Sequence, residues 1–82
     1  MPEPTCQDLK KLIDDFIAAA DDWILRRQIA DMILVAIGLL LPGWPIIDVD
    51  DATNAELEAW INALFNGQHA CASVFQPQGG GN

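Results

Sequence analysis

Three residues carry the side chains that a soft metal site or a thiol nucleophile would need. They are Cys6, His69 and Cys71, and the 82-residue chain has no other cysteine or histidine. Three such ligands can hold zinc with a water molecule in the fourth position. The segment from His69 to Cys71 lacks the Cys-x-x-Cys spacing that is typical of zinc and redox sites. We therefore expect no metal, no Cys–His catalysis and no cofactor, and we assign the cysteines to buried thiols or a disulfide.

The two cysteines lie near opposite ends of the chain, so a bridge between Cys6 and Cys71 would close a long loop. On the chain-entropy model such a bridge stabilises a fold by about 4 kcal/mol. The N-terminus, residues 1–4, shows no positive region followed by an apolar run, which predicts synthesis in the cytoplasm. Because a reducing cytosol keeps thiols reduced, we expect free thiols, with a Cys6–Cys71 disulfide as the alternative.

The acidic residues are the second group that could do chemistry. Adjacent pairs occur at residues 14–15, 21–22 and 50–51. Glycosidase-type acid/base catalysis needs two carboxyl groups that face each other, whereas neighbours on a helix diverge by about 100°. With one histidine, one serine and no tyrosine, the chain also offers few groups for a nucleophile and a base. We expect solvated acidic faces and no enzyme activity.

The acids that follow residue 47 begin like a calcium-binding loop. Asp48 and Asp50 match the first two ligand positions of an EF-hand. The match fails at Thr53, which replaces the required glycine, and at Ala59, where a bidentate glutamate should stand. A loop that ends in a helix cap explains these acids without a metal. Asp48, Asp50 and Asp51 remain candidates for contacts with a basic partner.

A short stretch is superficially similar to a known family. Ala55–Gly67 resembles the last helix of acyl carrier proteins. Those carriers need an Asp-Ser-Leu at the start of a helix to receive phosphopantetheine, whereas the one serine here is Ser73, near the C-terminus. We therefore expect no carrier function.

The charges are distributed unevenly. All four basic residues lie in the first third of the chain, at Lys10, Lys11, Arg26 and Arg27, and the net charge is -8. Such a chain repels nucleic acid and anionic membranes at long range, so we expect no nucleic-acid binding, and a membrane is disfavoured as a partner but not excluded. Basic proteins and neutral apolar surfaces remain as partners.

The apolar content is high for a domain with so little interior. Hydrophobic residues make up 51% of the chain, and the mean hydropathy is +0.19. A domain of this size buries only roughly 60 to 65 per cent of the surface that its unfolded chain exposes. Some apolar surface is therefore expected to meet a protein partner or a second copy of the chain.

Apolar residues recur at spacings of three and four, which predicts an all-α, three-helix bundle-like domain. The predicted helices cover residues 6–20, 22–41 and 54–66. Thr5 and Thr53 are each followed three residues later by an acid, the pattern of a capping box.

The boundaries between these elements come from caps, prolines and glycines. Asp21 and Asp22 favour a break between the first two helices, with one continuous helix as the alternative. Gly67 is suited to a left-handed residue after the third helix. We therefore assign residues 1–67 to a helical domain and residues 68–82, which contain a proline and three consecutive glycines, to an irregular tail.

The second predicted helix ends in a run without polar side chains, residues 32–41. A helix that is apolar all round is buried on every side, by protein or by lipid. We expect Ile33, Ile37 and Leu40 to contact a partner. Ile37→Asp should then disrupt folding or assembly, whereas the same change at Asn62, on the polar side of the third helix, should be nearly silent.

Two further contacts are predicted beside this run. Arg27 precedes Asp31 by four residues, which favours an ion pair across one helical turn. Trp44 lies between Pro42 and Pro45 in a turn. It is a candidate for a rigid aromatic anchor in a partner's pocket, with a lid over the small core as the alternative.

These observations favour a non-enzymatic structural or assembly subunit, such as a minor virion component, that acts through protein–protein contacts. The first alternative is an acidic inhibitor or antitoxin-like protein that covers a basic surface, an analogy of size and charge to immunity proteins and phage-encoded inhibitors. The second is a small single-span membrane protein, because residues 32–47 carry no charge. Against it, a span usually needs about 20 apolar residues, and the prolines shorten the helical part.

Overall fold

A computed structural model describes residues 3–75 of the chain, and that range contains four helices and no strand. The helices are α1 (Cys6–Ala18), α2 (Trp23–Leu40), α3 (Asn54–Asn66) and α4 (Ala72–Phe75). The predicted all-α class is confirmed. Each of the three predicted helices is present, with ends within two residues of the predicted ones.

Capping boxes start two of these helices. The Thr5 hydroxyl accepts from the Asp8 N–H at 3.2 Å, and the Asp8 carboxylate accepts from the Thr5 N–H at 3.0 Å. The same reciprocal pair joins Thr53 and Glu56, at 3.1 and 2.7 Å. Each box satisfies two backbone donors that have no partner inside the helix, so these starts are local consequences of the sequence.

The turn between α1 and α2 is short and tightly defined. Ala20 has a φ of 56°, a left-handed conformation that ends the helical path after α1. Asp22 then caps α2, and its carboxylate accepts from the Leu25 N–H at 3.2 Å. The predicted break between the helices is therefore confirmed, and α2 packs back along α1.

Glycines mark the ends of α2 and α3 for different reasons. Gly43, in the turn after α2, has a φ of 93°, which favours glycine. Gly67 is extended, with φ -82° and ψ 169°, so the predicted left-handed residue there was wrong. A Cβ at Gly67 would lie 2.5 Å from the Ala63 carbonyl oxygen and 2.7 Å from the Trp44 ring. Glycine is needed at this position because the Ala63 carbonyl and the Trp44 ring leave no room for a Cβ, and not because of its backbone angles.

The core lies between the inward faces of α1, α2 and α3, and α4 closes it at one end. Its buried members are Leu9, Ile13, Phe16, Ile29, Ala30, Ile33, Ala36, Ile37, Leu41, Val49, Leu57, Trp60, Ile61, Leu64, Cys71 and Phe75. They recur at helical spacing on α1 and α3; the opposite face is largely charged on α1 and consists mainly of alanine, asparagine and glutamate on α3. Burial of these side chains is the main free-energy source for the fold.

The segment after Gly67 is not wholly irregular. Ala72–Phe75 forms α4, and Phe75 is buried against Phe65 with ring centroids 5.6 Å apart. The prediction of an unstructured tail from residue 68 is corrected over this part, because tertiary contacts order a segment that has no periodic pattern of its own. The remainder of the predicted tail, residues 76–82, lies outside the described residues.

Candidate functional site

Arg26 is the one charged side chain buried in the described part of the chain. Its Nε donates to the Phe16 carbonyl oxygen at 3.0 Å, and Nη1 donates to the Glu58 carboxylate at 3.2 Å. The guanidinium also lies 4.5 Å from the Phe16 ring and 4.7 Å from the Trp23 ring. Arg26 therefore joins α1, α2 and α3, and its charge points into the bundle.

Arg27 is also directed inward. Its Nη1 donates to the Val49 carbonyl oxygen, and Nη2 donates at 2.9 Å to both the Ala52 carbonyl and the Asn54 side chain. The predicted Arg27–Asp31 ion pair is wrong, because the α2–α3 loop offers the guanidinium a set of backbone acceptors that one turn of helix cannot. Asp31 is exposed.

The outer face of α2 carries a row of exposed apolar side chains. Leu25, Met32, Val35 and Leu39 are 42%, 51%, 66% and 58% exposed, and Gln28 completes the row. Their separations are three, four, three and four residues, which is the alternation of a heptad seam. We call these five residues the outer seam. Soluble helices normally present polar residues on this side.

The residues predicted to meet a partner lie on the other side of α2. Ile33 and Ile37 are 0% and 1% exposed and belong to the chain's own core, and Leu40 packs partly against it. The assignment of Ile33 and Ile37 to an interface is therefore corrected. The bundle itself covers only one side of the apolar run, so burial of the other side by a partner or by lipid stays a prediction.

A groove borders the outer seam where α2 meets α1. It has a volume of about 450 Å³, and its lining residues are Asp15, Ala18, Ala19, Leu25, Ile29 and Met32. The small alanines at the end of α1 leave this space open. Leu25 and Met32 belong to both the seam and the groove, so the two form one continuous apolar surface.

Trp44 covers the core at the end of α2. It is half-buried, and its ring meets the His69 ring edge-to-face with centroids 5.1 Å apart. It also lies against Gly67. The structure therefore supports the lid alternative for Trp44. A depression of about 380 Å³ beside it is lined mainly by Leu40, Pro42 and His69 with their neighbours.

His69 has a structural position. Nε2 lies 2.8 Å from the Leu64 carbonyl oxygen, and Nδ1 accepts from the Cys71 N–H at 3.1 Å. A neutral ring protonated at Nε2 satisfies both contacts. The ring therefore fixes the chain between α3 and α4.

Cys6 and Cys71 are joined in a disulfide, with Cα atoms 5.2 Å apart and a sequence separation of 65 residues. The structure therefore has the disulfide that was the alternative, and not the free thiols that we expected from a reducing cytosol. The bridge ties the start of α1 to the residue before α4. Neither sulfur is therefore available as a nucleophile or a metal ligand in this structure.

The loop acids form a turn and not a cation cage. The Asp48 carboxylate accepts from the Asp50 N–H at 3.1 Å and the Asp51 N–H at 3.4 Å. This is an Asx-type turn, in which a side chain replaces a backbone acceptor. Residues 3–75 contain no group of three or more histidine, cysteine or acidic residues arranged to hold a metal ion.

No family model, curated protein or solved structure matches this chain. Within residues 3–75, none of the helices has both the length and the apolar content that crossing a bilayer requires.

Proposed function

We propose that the protein is a non-enzymatic assembly subunit that binds another protein through the outer seam of α2. The observation that carries this proposal is the exposure of Met32, Val35 and Leu39 along one face of an 18-residue helix. An 18-residue helix is about 27 Å long, which gives an elongated contact surface. Contiguous apolar patches of this kind are typical of protein-interaction sites.

The free energy gained by burying the seam can be compared with the cost of association. Fully burying an aliphatic side chain contributes about 1.5–3 kcal/mol, so four seam residues that are half exposed offer about 4 kcal/mol together. Association costs at least about 4 kcal/mol in lost translational and rotational freedom. A stable contact therefore has to extend into the groove beside Ala18 and Ala19 and use further groups at the border of the seam.

A solution-size measurement with matched variants tests this function. The tagged protein, produced in its native source, is analysed by size-exclusion chromatography with light scattering. We expect the wild type to elute in a complex far larger than its own 8.9 kDa. Val35→Asp should release a monomer, because it places a carboxylate in the seam without touching the core.

Ile46→Asp is the matched control, because Ile46 is 75% exposed and lies outside the seam. It adds the same charge and should leave the complex intact. A wild type that is a stable monomer without partner, or a complex that both variants lose equally, would contradict the proposed function.

The acidic inhibitor remains the second candidate function, supported by the net charge of -8. Arg26 pairs with Glu58 and Arg27 is bound to the α2–α3 loop, but the twelve acids outnumber the four basic residues, so most acids have no basic residue to neutralise them. Binding of that kind would weaken steeply with salt, since exposed charges are screened over about 8–10 Å at physiological ionic strength. Partner binding that does not change between low and high salt would exclude it.

A further inference from the structure

The outer seam has the register of a coiled-coil strand. Leu25, Met32 and Leu39 occupy a positions of consecutive heptads, and Gln28 and Val35 occupy the d positions between them. In this register the g position before Met32 is Asp31, and the e positions face the bundle as buried Ile29 and Ala36. A helix docked on the seam would therefore be flanked by the groove on one side and by Asp31 on the other.

Acids border the seam on both sides. Asp31 is exposed beside Val35, and Asp15 lines the groove across from Leu25. Lys11 pairs with Asp15 at 3.3 Å; this exposed pair contributes little to stability, but it offsets part of the charge of Asp15. Asp31 takes part in no ion pair among the described residues. The two arginines of α2 are directed inward, as described above. The face therefore combines an apolar centre with one acid on each side, and of these two acids Asp31 is the one without an ion pair.

We infer that the occupant of the seam is an amphipathic helix of another protein, with apolar residues at heptad spacing and Lys or Arg beside them. This inference rests on the proposed function and names the chemistry of its partner. Basic residues at the partner's flanking positions would face Asp31 and Asp15, in the way that e and g charges choose coiled-coil partners. Gln28, the polar d residue, favours a polar residue opposite it and fixes the register.

A second copy of the chain fits this face less well. Each copy carries a net charge of -8, and the lysine beside this face, Lys11, is already paired with Asp15 of its own copy. An anionic bilayer is disfavoured for the same reason, because its headgroups repel the acidic border. Charge complementarity therefore selects a basic partner helix.

Two synthetic peptides of about three heptads test the inference. Both carry leucine at the a and d positions with one glutamine at d, and they differ only in having lysine or glutamate at e and g. Binding of each labelled peptide to the full, oxidised protein is followed by fluorescence anisotropy at low and physiological salt. We expect the lysine peptide to bind at least about tenfold more tightly than the glutamate peptide.

Variants separate specific docking from general attraction to an acidic protein. Val35→Asp makes the protein more negative, yet it should abolish binding of the lysine peptide because it disrupts the seam. Ile46→Asp adds the same charge outside the seam and should leave the affinity unchanged. Asp31→Lys should weaken binding of the lysine peptide about three- to tenfold and strengthen binding of the glutamate peptide.

Each contrary outcome identifies a different failure. Equal binding of the two peptides, or binding of neither, overturns the inference of a basic partner helix. The proposed function still stands in that case if Val35→Asp releases a monomer from the native complex. Self-association that Val35→Asp abolishes overturns the inference in favour of a second copy. Co-sedimentation with phosphatidylcholine or phosphatidylglycerol vesicles, without peptide binding, overturns it in favour of a lipid surface. A native complex that is unaffected by Val35→Asp removes the proposed function itself.

Discussion

The inner and outer faces of α2 have nearly the same composition and opposite surroundings. On the inner face Ile33 and Ile37 are buried in the core, whereas on the outer face Met32 and Val35 are exposed to solvent. The hydrophobic residues alternate between the two faces along one continuous run. Apolar composition alone therefore does not distinguish the face of α2 that is buried in the core from the face that is exposed and available to a partner.

The polar residues of α2 identify the faces better, once their partners are known. Gln28 and Asp31 lie on the exposed side, as polar helix residues usually do. Arg26, in contrast, lies on the buried side of α2. Its carbonyl, carboxylate and aromatic partners compensate the desolvation cost of burying its charge. The inner face thus depends on a specific polar contact, and the outer face depends on none within the described residues.

The largest expected effect compares one substitution on the two faces. Ile37→Asp buries a carboxylate without a partner and should lower the free energy of unfolding by at least about 4 kcal/mol. Val35→Asp, two residues earlier on the exposed face, should change it by less than about 0.5 kcal/mol. Urea unfolding of both variants measures the difference.

This pair replaces the comparison that the sequence suggests. Because Ile37 lies in the chain's own core, Ile37→Asp tests folding and carries no information on assembly. Equal stability losses at the two positions would show that the outer face is covered in the isolated protein, and the comparison of the faces would no longer hold.

Reduction of the disulfide should have the next largest effect. The bridge closes a 65-residue separation, and its loss should lower the unfolding free energy by about 4 kcal/mol. A domain of this size has a total stability of only about 4–12 kcal/mol, so the melting temperature should fall strongly in reductant. The bridge is attached to α1 and the segment before α4, so affinity at the outer seam should persist wherever the reduced protein remains folded.

A serine variant provides the control for this experiment. The double variant Cys6→Ser, Cys71→Ser should melt at the same temperature with and without reductant. A wild-type melting temperature that does not change when reductant is added would contradict a stabilising disulfide. Thiol alkylation of protein taken directly from its native source, followed by mass measurement, tests the cytoplasmic prediction, because disulfides persist mainly in oxidising compartments.

Arg26→Ala should destabilise the inner face by about 2–4 kcal/mol. The substitution removes two hydrogen bonds and the packing of the guanidinium against Phe16 and Trp23. Lys11→Ala removes the same charge from an exposed pair and should cost less than about 1 kcal/mol. Similar losses in the two variants would indicate a general effect of net charge and would contradict the role given to Arg26.

Much of the fold could be predicted from the sequence because its signals are local. The caps at Thr5, Asp22 and Thr53 each depend on one side chain and a backbone N–H three residues later. The amphipathic spacing of α1 and α3 gives their buried sides directly. These features follow from short-range chemistry, which a linear pattern contains.

The rest depends on long-range contacts that no local pattern contains. α4 is ordered by the disulfide at Cys71 and the packing of Phe75, and Arg27 bonds to the α2–α3 loop and the first residue of α3, 22 to 27 residues away. The outer seam was missed for a related reason. Its three-and-four alternation overlaps the core stripe of the same helix, and Gln28 and Asp31 are the signals that could have identified its exposure.

The smallest expected effect concerns the turn that lays the inner face of α2 on α1. Ala20 has a φ of 56°, a conformation that costs an L-residue about 1–2 kcal/mol and costs glycine almost nothing. Glycine also adds conformational entropy to the unfolded chain, which offsets roughly 0.4–1 kcal/mol of that gain. Ala20→Gly should therefore raise the unfolding free energy by about 0.5 kcal/mol.

Ala18→Gly, in the last turn of α1, is the control. It should lower the unfolding free energy by roughly 0.5–1 kcal/mol, because a glycine inside a helix has only the entropic penalty. Opposite signs in urea unfolding would confirm that Ala20 adopts the left-handed conformation in the turn between α1 and α2. A loss of stability in both variants would contradict a left-handed residue at this position.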